Sequence, residues 1–254
     1  MRSLPLTALF VLAACSPPSK PPDAGVMIDT SCGLDCDAQK RFGLLLNTCF
    51  EYADGPTGMD PPALGIFVRQ VFTLEGNVKV LVVEYSVLGQ LKMTDSFGFN
   101  DGRLLLMRRE FSGGQSVTYK NAANEIVGVA WLERMSAAGS TVSSSASADV
   151  LLGGSNRMTE ATTYRVTLET ATGSQTTVPL QSGPFDAGVQ MSFGETPDHG
   201  SDGKRVWVPG LGFIFFSSTF QLASGGSSPQ YRLQRVRTLG AGDGGDKPCS
   251  TGTL

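Results

Sequence analysis

The chain has 254 residues, of which 17% are charged and 31 are glycine, and its formal net charge is −3. No stretch concentrates the basic residues, which argues against nucleic acid as a partner. A chain of this length can bury a substantial core, and it suits one large β domain or two small ones.

The first residues have the layout of a secretory signal. Arg2 precedes an uncharged apolar run from Leu4 to Ala14, about half of the roughly 20 residues that a membrane-spanning helix needs. We therefore predict a signal peptide over residues 1–14. Its removal leaves 240 residues with 19 basic and 23 acidic side chains, a net charge near −4.

The apolar run ends in Leu12-Ala13-Ala14-Cys15, which resembles the bacterial lipobox. The resemblance implies that Cys15 receives a diacylglyceryl thioether, that the signal is cut before it, and that the new amine is acylated. It also implies transfer to the outer membrane, because Ser16 rather than Asp follows the cysteine. Several acyl chains anchor a protein firmly, whereas one anchors it only marginally. The alternative is an ordinary signal peptide with an incidental cysteine.

Residues 15–40 are predicted to hold the lipidated cysteine, a spacer and a pair of cysteines. The spacer over residues 16–25 is rich in proline, which favours extended geometry at about 3.1 Å per residue. It would separate the folded domain from the bilayer. The sequence does not specify on which side of the outer membrane the domain lies.

Four cysteines remain besides Cys15, and an even number in an exported chain predicts two disulfides, with three possible connectivities. Zinc binding is the alternative, but the spacing fits no compact zinc module. Cys249 must pair with a cysteine near the N-terminus, which brings the ends of the domain together and closes a loop of about 200 residues. The four are Cys32, Cys36, Cys49 and Cys249.

From about Phe42 onward, apolar residues alternate with polar ones at the period of a β-strand. Residues 44–52 place Cys49 on the face opposite to the apolar one, so we predict that it points away from the core. Asn100-Asp101-Gly102 is a strong hairpin signal, because these residues tolerate positive φ. Further alternating segments follow at residues 66–68, 78–87, 103–111, 116–119, 126–132, 164–169, 177–180, 189–193, 205–208, 213–222 and 231–238.

These segments predict an all-β protein of about a dozen antiparallel strands with little helix, over residues 41–240. Residues 137–149 are small and polar and are predicted to be a flexible connection or a weak edge. A Gly-rich tail with Cys249 follows over residues 241–254. A sandwich, a barrel and a half-barrel all fit this pattern.

Residues 207–214, Trp-Val-Pro-Gly-Leu-Gly-Phe-Ile, resemble a stretch near the C-terminal strands of exported antiparallel half-barrels, including lipoprotein carriers. The resemblance covers about 40 residues and implies lipid carriage. Carriers of this kind have helices that plug the concave face, and no such helix is predicted here. From the residues themselves, Pro209, Gly210 and Gly212 are expected to break the ladder and bend the strand.

The residues do not predict a catalytic or metal site. The single histidine, His199, lies among Asp and Ser residues in one polar segment. Because triads draw their residues from separate parts of a fold, we predict only a hairpin loop. Two acidic pairs, Asp35 with Asp37 and Asp243 with Asp246, lack the ligand spacing of calcium loops and are expected to be solvated.

Two other patterns have a structural and a functional interpretation. Residues 213–216, Phe-Ile-Phe-Phe, are expected to form a central strand covered on both sides, the alternative being a cavity wall or docking patch. Arg232, Arg235 and Arg237 are expected to face outward from an edge strand rather than to form a basic stripe.

The sequence therefore predicts a lipid-anchored outer-membrane lipoprotein with a non-enzymatic binding or structural role and no cofactor. Its partners would be the membrane, through the lipid, and an envelope protein or an apolar ligand. The alternative is a carrier or sensor of an apolar ligand in a half-barrel cavity. A hydrolase is the third hypothesis.

Overall fold

The computed structural model describes residues 35–53, 63–153, 155–172, 188–199, 203–217 and 230–238. One helix, α1, precedes thirteen strands, and a 3-10 turn at Glu75–Asn77 joins the second strand to the third. The elements are α1 Cys36–Phe42, β1 Thr48–Ala53, β2 Leu64–Thr73, β3 Lys79–Val87, β4 Gln90–Asn100, β5 Arg103–Phe111, β6 Ser116–Lys120, β7 Val129–Leu132, β8 Thr141–Leu151, β9 Arg157–Thr170, β10 Val189–Thr196, β11 Gly203–Val208, β12 Gly212–Ser217 and β13 Gln230–Thr238.

Twelve of these strands close into an antiparallel barrel. Their order is β4-β3-β2-β1-β13-β12-β11-β10-β9-β8-β6-β5, and β5 pairs back with β4 to complete the ring. The short strand β7 pairs with the first half of β5, while β6 pairs with the second half. The prediction of an all-β domain is confirmed, and the structure selects the barrel among the three architectures.

The turns between strands follow the local sequence. Asp101 and Gly102 have φ of 51° and 71°, the left-handed conformation that a tight hairpin between right-twisted strands requires. Pro209, Gly210 and Leu211 separate β11 from β12. The predicted break in the ladder is confirmed, but it is a hairpin between two strands rather than a bend within one.

The alternation of side chains fills the barrel with apolar groups. It also directs Cys49 away from the main core, as predicted. Cys49 is fully buried, yet it packs with Phe67 in a small cluster separate from the main core. Residues 213–216 are all buried in β12, between β11 and β13. The prediction of a strand covered on both sides is therefore confirmed.

The prediction for residues 137–149 is wrong, because most of this segment belongs to strand β8. This strand pairs with β9 along its whole length and with β6 over its second half. Its small side chains lie opposite large ones, Ser144 opposite Tyr164 and Ala148 opposite Tyr119. Small residues on one strand thus leave room for rings on its neighbours.

Two further strand predictions need correction. Within residues 126–132 only Val129–Leu132 form a strand, and Ile126 makes a single bridge to Lys120. Strand β13, which carries Arg232, pairs with both β1 and β12, so it is not an edge strand. The side chains of Arg235 and Arg237, the strand predicted at 177–180 and the tail at 241–254 lie outside the described residues.

Helix α1 was not predicted, and it closes one end of the barrel. The Asp35 side chain accepts a hydrogen bond from the Ala38 amide at 3.0 Å, and Gly43 ends the helix in the left-handed conformation. These are standard caps of a helix N-terminus and C-terminus. Phe42 is fully buried, with its ring 5.9 Å from that of Trp207. We call this the helix end of the barrel, and the opposite end the loop end.

Candidate functional site

His199 lies at the loop end, in the connection between β10 and β11, where a hairpin loop was predicted. Its burial was not predicted, since only 5% of the residue is exposed. The imidazole lies between two carboxylates from neighbouring strands. His199 Nδ1 is 2.8 Å from Glu195 Oε1, and His199 Nε2 is 2.8 Å from Glu160 Oε1.

Glu195 is held by further groups inside the barrel. The Thr162 hydroxyl donates to Glu195 Oε1 at 2.8 Å, and the Tyr119 hydroxyl donates to Glu195 Oε2 at 3.1 Å. Strands β6, β9 and β10 therefore all contribute to one polar cluster. We call Tyr119, Glu160, Thr162, Glu195 and His199 the histidine cluster.

The two carboxylates keep the imidazole charged. The interaction with Glu195 is the largest cause, and together with that of Glu160 it outweighs burial and raises the pKa of His199 to about 9. At neutral pH the ring is thus an imidazolium, which cannot accept a proton as a general base does. Ser201 and Asp202, which follow His199 in the same polar segment, lie outside the described residues. The geometry is that of an ion cluster that fastens the β10–β11 connection to the barrel.

A second charged cluster crosses the middle of the barrel. Arg109 Nε and Nη2 donate to the two carboxylate oxygens of Asp95, at 2.7 and 2.9 Å. Arg205 Nη2 lies 3.9 Å from Asp95 Oδ2, and Arg205 Nη1 donates to the Tyr85 hydroxyl at 3.1 Å. Burial alone would lower the pKa of Arg109, but the charge and hydrogen bonds of Asp95 outweigh burial and raise it.

Arg205 is also enclosed by aromatic rings. Its guanidinium carbon lies 4.3 to 5.4 Å from five ring centroids, a range in which cations are attracted to ring faces. The guanidinium and the rings occupy the centre of the barrel. The five rings belong to Tyr85, Trp131, Phe193, Phe213 and Phe216.

No protein family, curated protein or solved structure matches this chain. Within the described ranges, no group of His, Cys, Asp and Glu side chains is arranged to hold a metal ion. None of the helices among those residues is both long and apolar enough to cross a bilayer.

The residues singled out in the sequence do not converge on one site. Cys36 begins α1 and Cys49 lies on β1, and both are disulfide-bonded. Cys15, Cys32 and Cys249 lie outside the described residues, so the pairing and the lipidation stay predictions. Asp35 and Asp37 are exposed, as expected, and Asp35 also caps α1.

Neither the partners of His199 nor the cluster of Asp95, Arg109 and Arg205 was predicted from the sequence. One signal could have found them, because each charged residue occupies an inward position in an alternating strand. Asp95 shares a face with Met93 and Phe97, and Glu160 shares one with Tyr164. A charge on an apolar face indicates a buried ion pair.

We expect the stability of the protein to depend on pH through His199. The pKa of this group is about 9 in the folded chain and about 6.5 in an unfolded one. Its stabilisation is therefore complete below pH 6.5, falls as pH rises, and is lost above pH 9. Urea unfolding at pH 6 and pH 9.5 should show a loss of about 2–3 kcal/mol that is missing in His199→Gln. Equal losses in both proteins would contradict the ion cluster.

Proposed function

We propose that this protein is a lipid-anchored protein of the outer membrane, with a binding or structural role and no catalysis of its own. The anchor rests on Leu12-Ala13-Ala14-Cys15 and on the Pro-rich spacer that follows. Three or so acyl chains at Cys15 would hold the barrel beside a bilayer, since each buried methylene contributes about 0.8 kcal/mol.

In the part of the chain that the structure describes, the filled centre of the barrel is the observation that supports a role for its surface. Arg205 and its five rings occupy the centre of the barrel. Beside them, the apolar space near Tyr52 and Tyr85 measures about 10 Å³, room for about one water molecule. A lipid chain does not fit there, which argues against the carrier alternative.

The hydrolase alternative lacks a base in the histidine cluster, because the raised pKa of His199 keeps its ring protonated at neutral pH. Among the residues that the structure describes, the polar contacts of that ring go to the carboxylates of Glu160 and Glu195, and none goes to a hydroxyl or thiol. The ring and its two carboxylates form an ion cluster that attaches the β10–β11 connection to the barrel, and not a nucleophile paired with a general base. This too supports a role in binding or structure.

Lipid labelling tests the anchor. In a bacterial host fed an alkyne fatty acid, the wild-type protein should become labelled and fractionate with membranes. Cys15→Ser should be unlabelled and soluble, because the thioether cannot form. Ser16→Ala is the matched control, since it keeps Cys15 and should be labelled like wild type. A labelled Cys15→Ser protein, or an unlabelled wild type, would refute the proposal.

Native mass spectrometry tests the filled barrel separately. Cys15→Ser protein purified from the soluble fraction should have the mass of the polypeptide alone, because the interior is occupied by side chains. A co-purified lipid of defined mass would instead favour the carrier alternative.

A further inference from the structure

A cleft of about 390 Å³ lies at the helix end of the barrel, within the size range of small-molecule sites. It is bounded by the outer face of α1, by the β4–β5 turn and by the segment after β7. No residue of the two charged clusters lines it. Its lining residues are Asp35, Asp37, Ala38, Arg41, Asp101, Gly102 and Arg134.

The fold fixes the walls of this cleft at three points. Asp101 and Gly102 form the tight turn between β4 and β5, with positive φ at both residues. The Arg134 side chain packs against Gly102, where an added Cβ would lie 3.2 Å from Arg134 Cβ. On the opposite wall, the backbone carbonyl of Arg41 accepts a hydrogen bond from the Gly210 amide at 2.9 Å. The walls thus belong to separate elements that are docked together.

Both signs of charge face the cleft without neutralising each other. Among the residues that the structure describes, no ion pair joins Arg41 or Arg134 to the aspartates of the cleft. Arg41 Nε is buried and no described atom accepts its hydrogen bond. The positive charges of Arg41 and Arg134 therefore face the cleft without a carboxylate of the described chain to neutralise them.

We propose that this cleft binds a small zwitterion, a free amino acid or short peptide that carries both an amine and a carboxylate. The carboxylate would lie toward Arg41 and Arg134, because guanidinium groups bind carboxylates in a planar, two-pronged geometry. The amine would lie toward Asp37 and Asp101. A ligand with a single charge would be attracted by one pair of side chains and repelled by the other pair, so the cleft discriminates against it.

The dipeptide alanyl-alanine is the probe, with N-acetyl-alanine and alanine amide as its single-charge counterparts. We expect calorimetric or NMR titration of the full chain at low salt to give a Kd of about 1 mM or tighter for the dipeptide. Each counterpart should bind at least tenfold more weakly, because it loses one set of charged contacts. Equal binding of all three compounds, or no binding of the dipeptide, would overturn the assignment.

Charge-neutral variants locate the site. Arg134→Gln and Asp101→Asn should each weaken dipeptide binding about tenfold or more, and asparagine tolerates the positive φ at position 101. Arg103→Gln is the matched control: Arg103 begins β5, next to the cleft, and its Nε donates to the Asn100 carbonyl, but it does not line the cleft. Unchanged affinity in both cleft variants would place the dipeptide elsewhere and refute the proposal.

This inference goes beyond the proposed function and does not depend on the lipid. Cys15→Ser protein should bind the dipeptide as the wild type does, because Cys15 contributes nothing to the cleft. A failed labelling experiment would therefore not affect the conclusion drawn from the titration, and a failed titration would not affect the proposal of a lipid anchor.

Discussion

Replacing Asp95 with Ala is expected to lower the free energy of unfolding by about 3–5 kcal/mol, as when one partner of a buried ion pair is removed. Asp95 is fully buried, and its two oxygens accept from Arg109. Arg205, 3.9 Å from Asp95, shares the same carboxylate. The substitution would leave two guanidinium groups in a nonpolar interior with no carboxylate between them. Urea unfolding at pH 7 measures the loss.

Glu169→Ala is the control for removing a carboxylate from a strand. Glu169 is exposed, and it accepts a hydrogen bond from the Gln190 side chain at 3.0 Å. Surface substitutions of this kind change stability by about 0.5 kcal/mol or less. If Asp95→Ala were as mild as Glu169→Ala, Asp95 could not be the group that holds the two arginines in the barrel.

The strands could be predicted because their signals are local. Alternation needs only neighbouring residues, and Asn100-Asp101-Gly102 specifies a hairpin by its own backbone preferences. The closure of the barrel, which pairs strands that are distant in the sequence, could not be predicted from local signals. The pairing of β1 with β13 places Cys49 opposite Arg237, and the alternation of side chains around either residue does not specify the other.

Two elements were missed for different physical reasons. Helix α1 has seven residues, too few for a helical period to emerge, so only its caps could have revealed it. Strand β8 is built largely from Ser and Ala, which have weak strand preference. Its pairing is specified by the neighbours, because Tyr119 and Tyr164 need small residues opposite them.

Local patterns could not pair the charged residues of the two clusters. Glu160 precedes His199 by 39 positions, and Tyr85 precedes Arg205 by 120. The sequence marks each charged residue as unusual on an apolar face, but only the closed barrel brings the opposite charges within contact distance. Local patterns therefore place His199 in a loop correctly but do not reveal that it is buried between two carboxylates.

The contact between α1 and the barrel predicts that Gly43→Ala will be among the most damaging single-methyl additions. Gly43 has a φ of 68°, and an added Cβ would lie 2.3 Å from the backbone nitrogen of Gly212. The left-handed conformation alone costs about 1–2 kcal/mol for alanine. The clash adds about 1–3 kcal/mol, because the atom that the new methyl group meets belongs to the backbone and cannot rotate away.

Gly76→Ala separates these two costs. Gly76 has nearly the same φ, 70°, but an added Cβ there would meet no atom within 4 Å. We therefore expect urea unfolding to show a loss of about 1–2 kcal/mol for Gly76→Ala, and of about 2–5 kcal/mol for Gly43→Ala. The difference measures how tightly α1 is docked, since a loosely attached helix would shift and absorb the methyl group. Equal losses would mean that α1 closes the barrel only weakly, and the cleft that α1 helps to form would then lack a fixed wall.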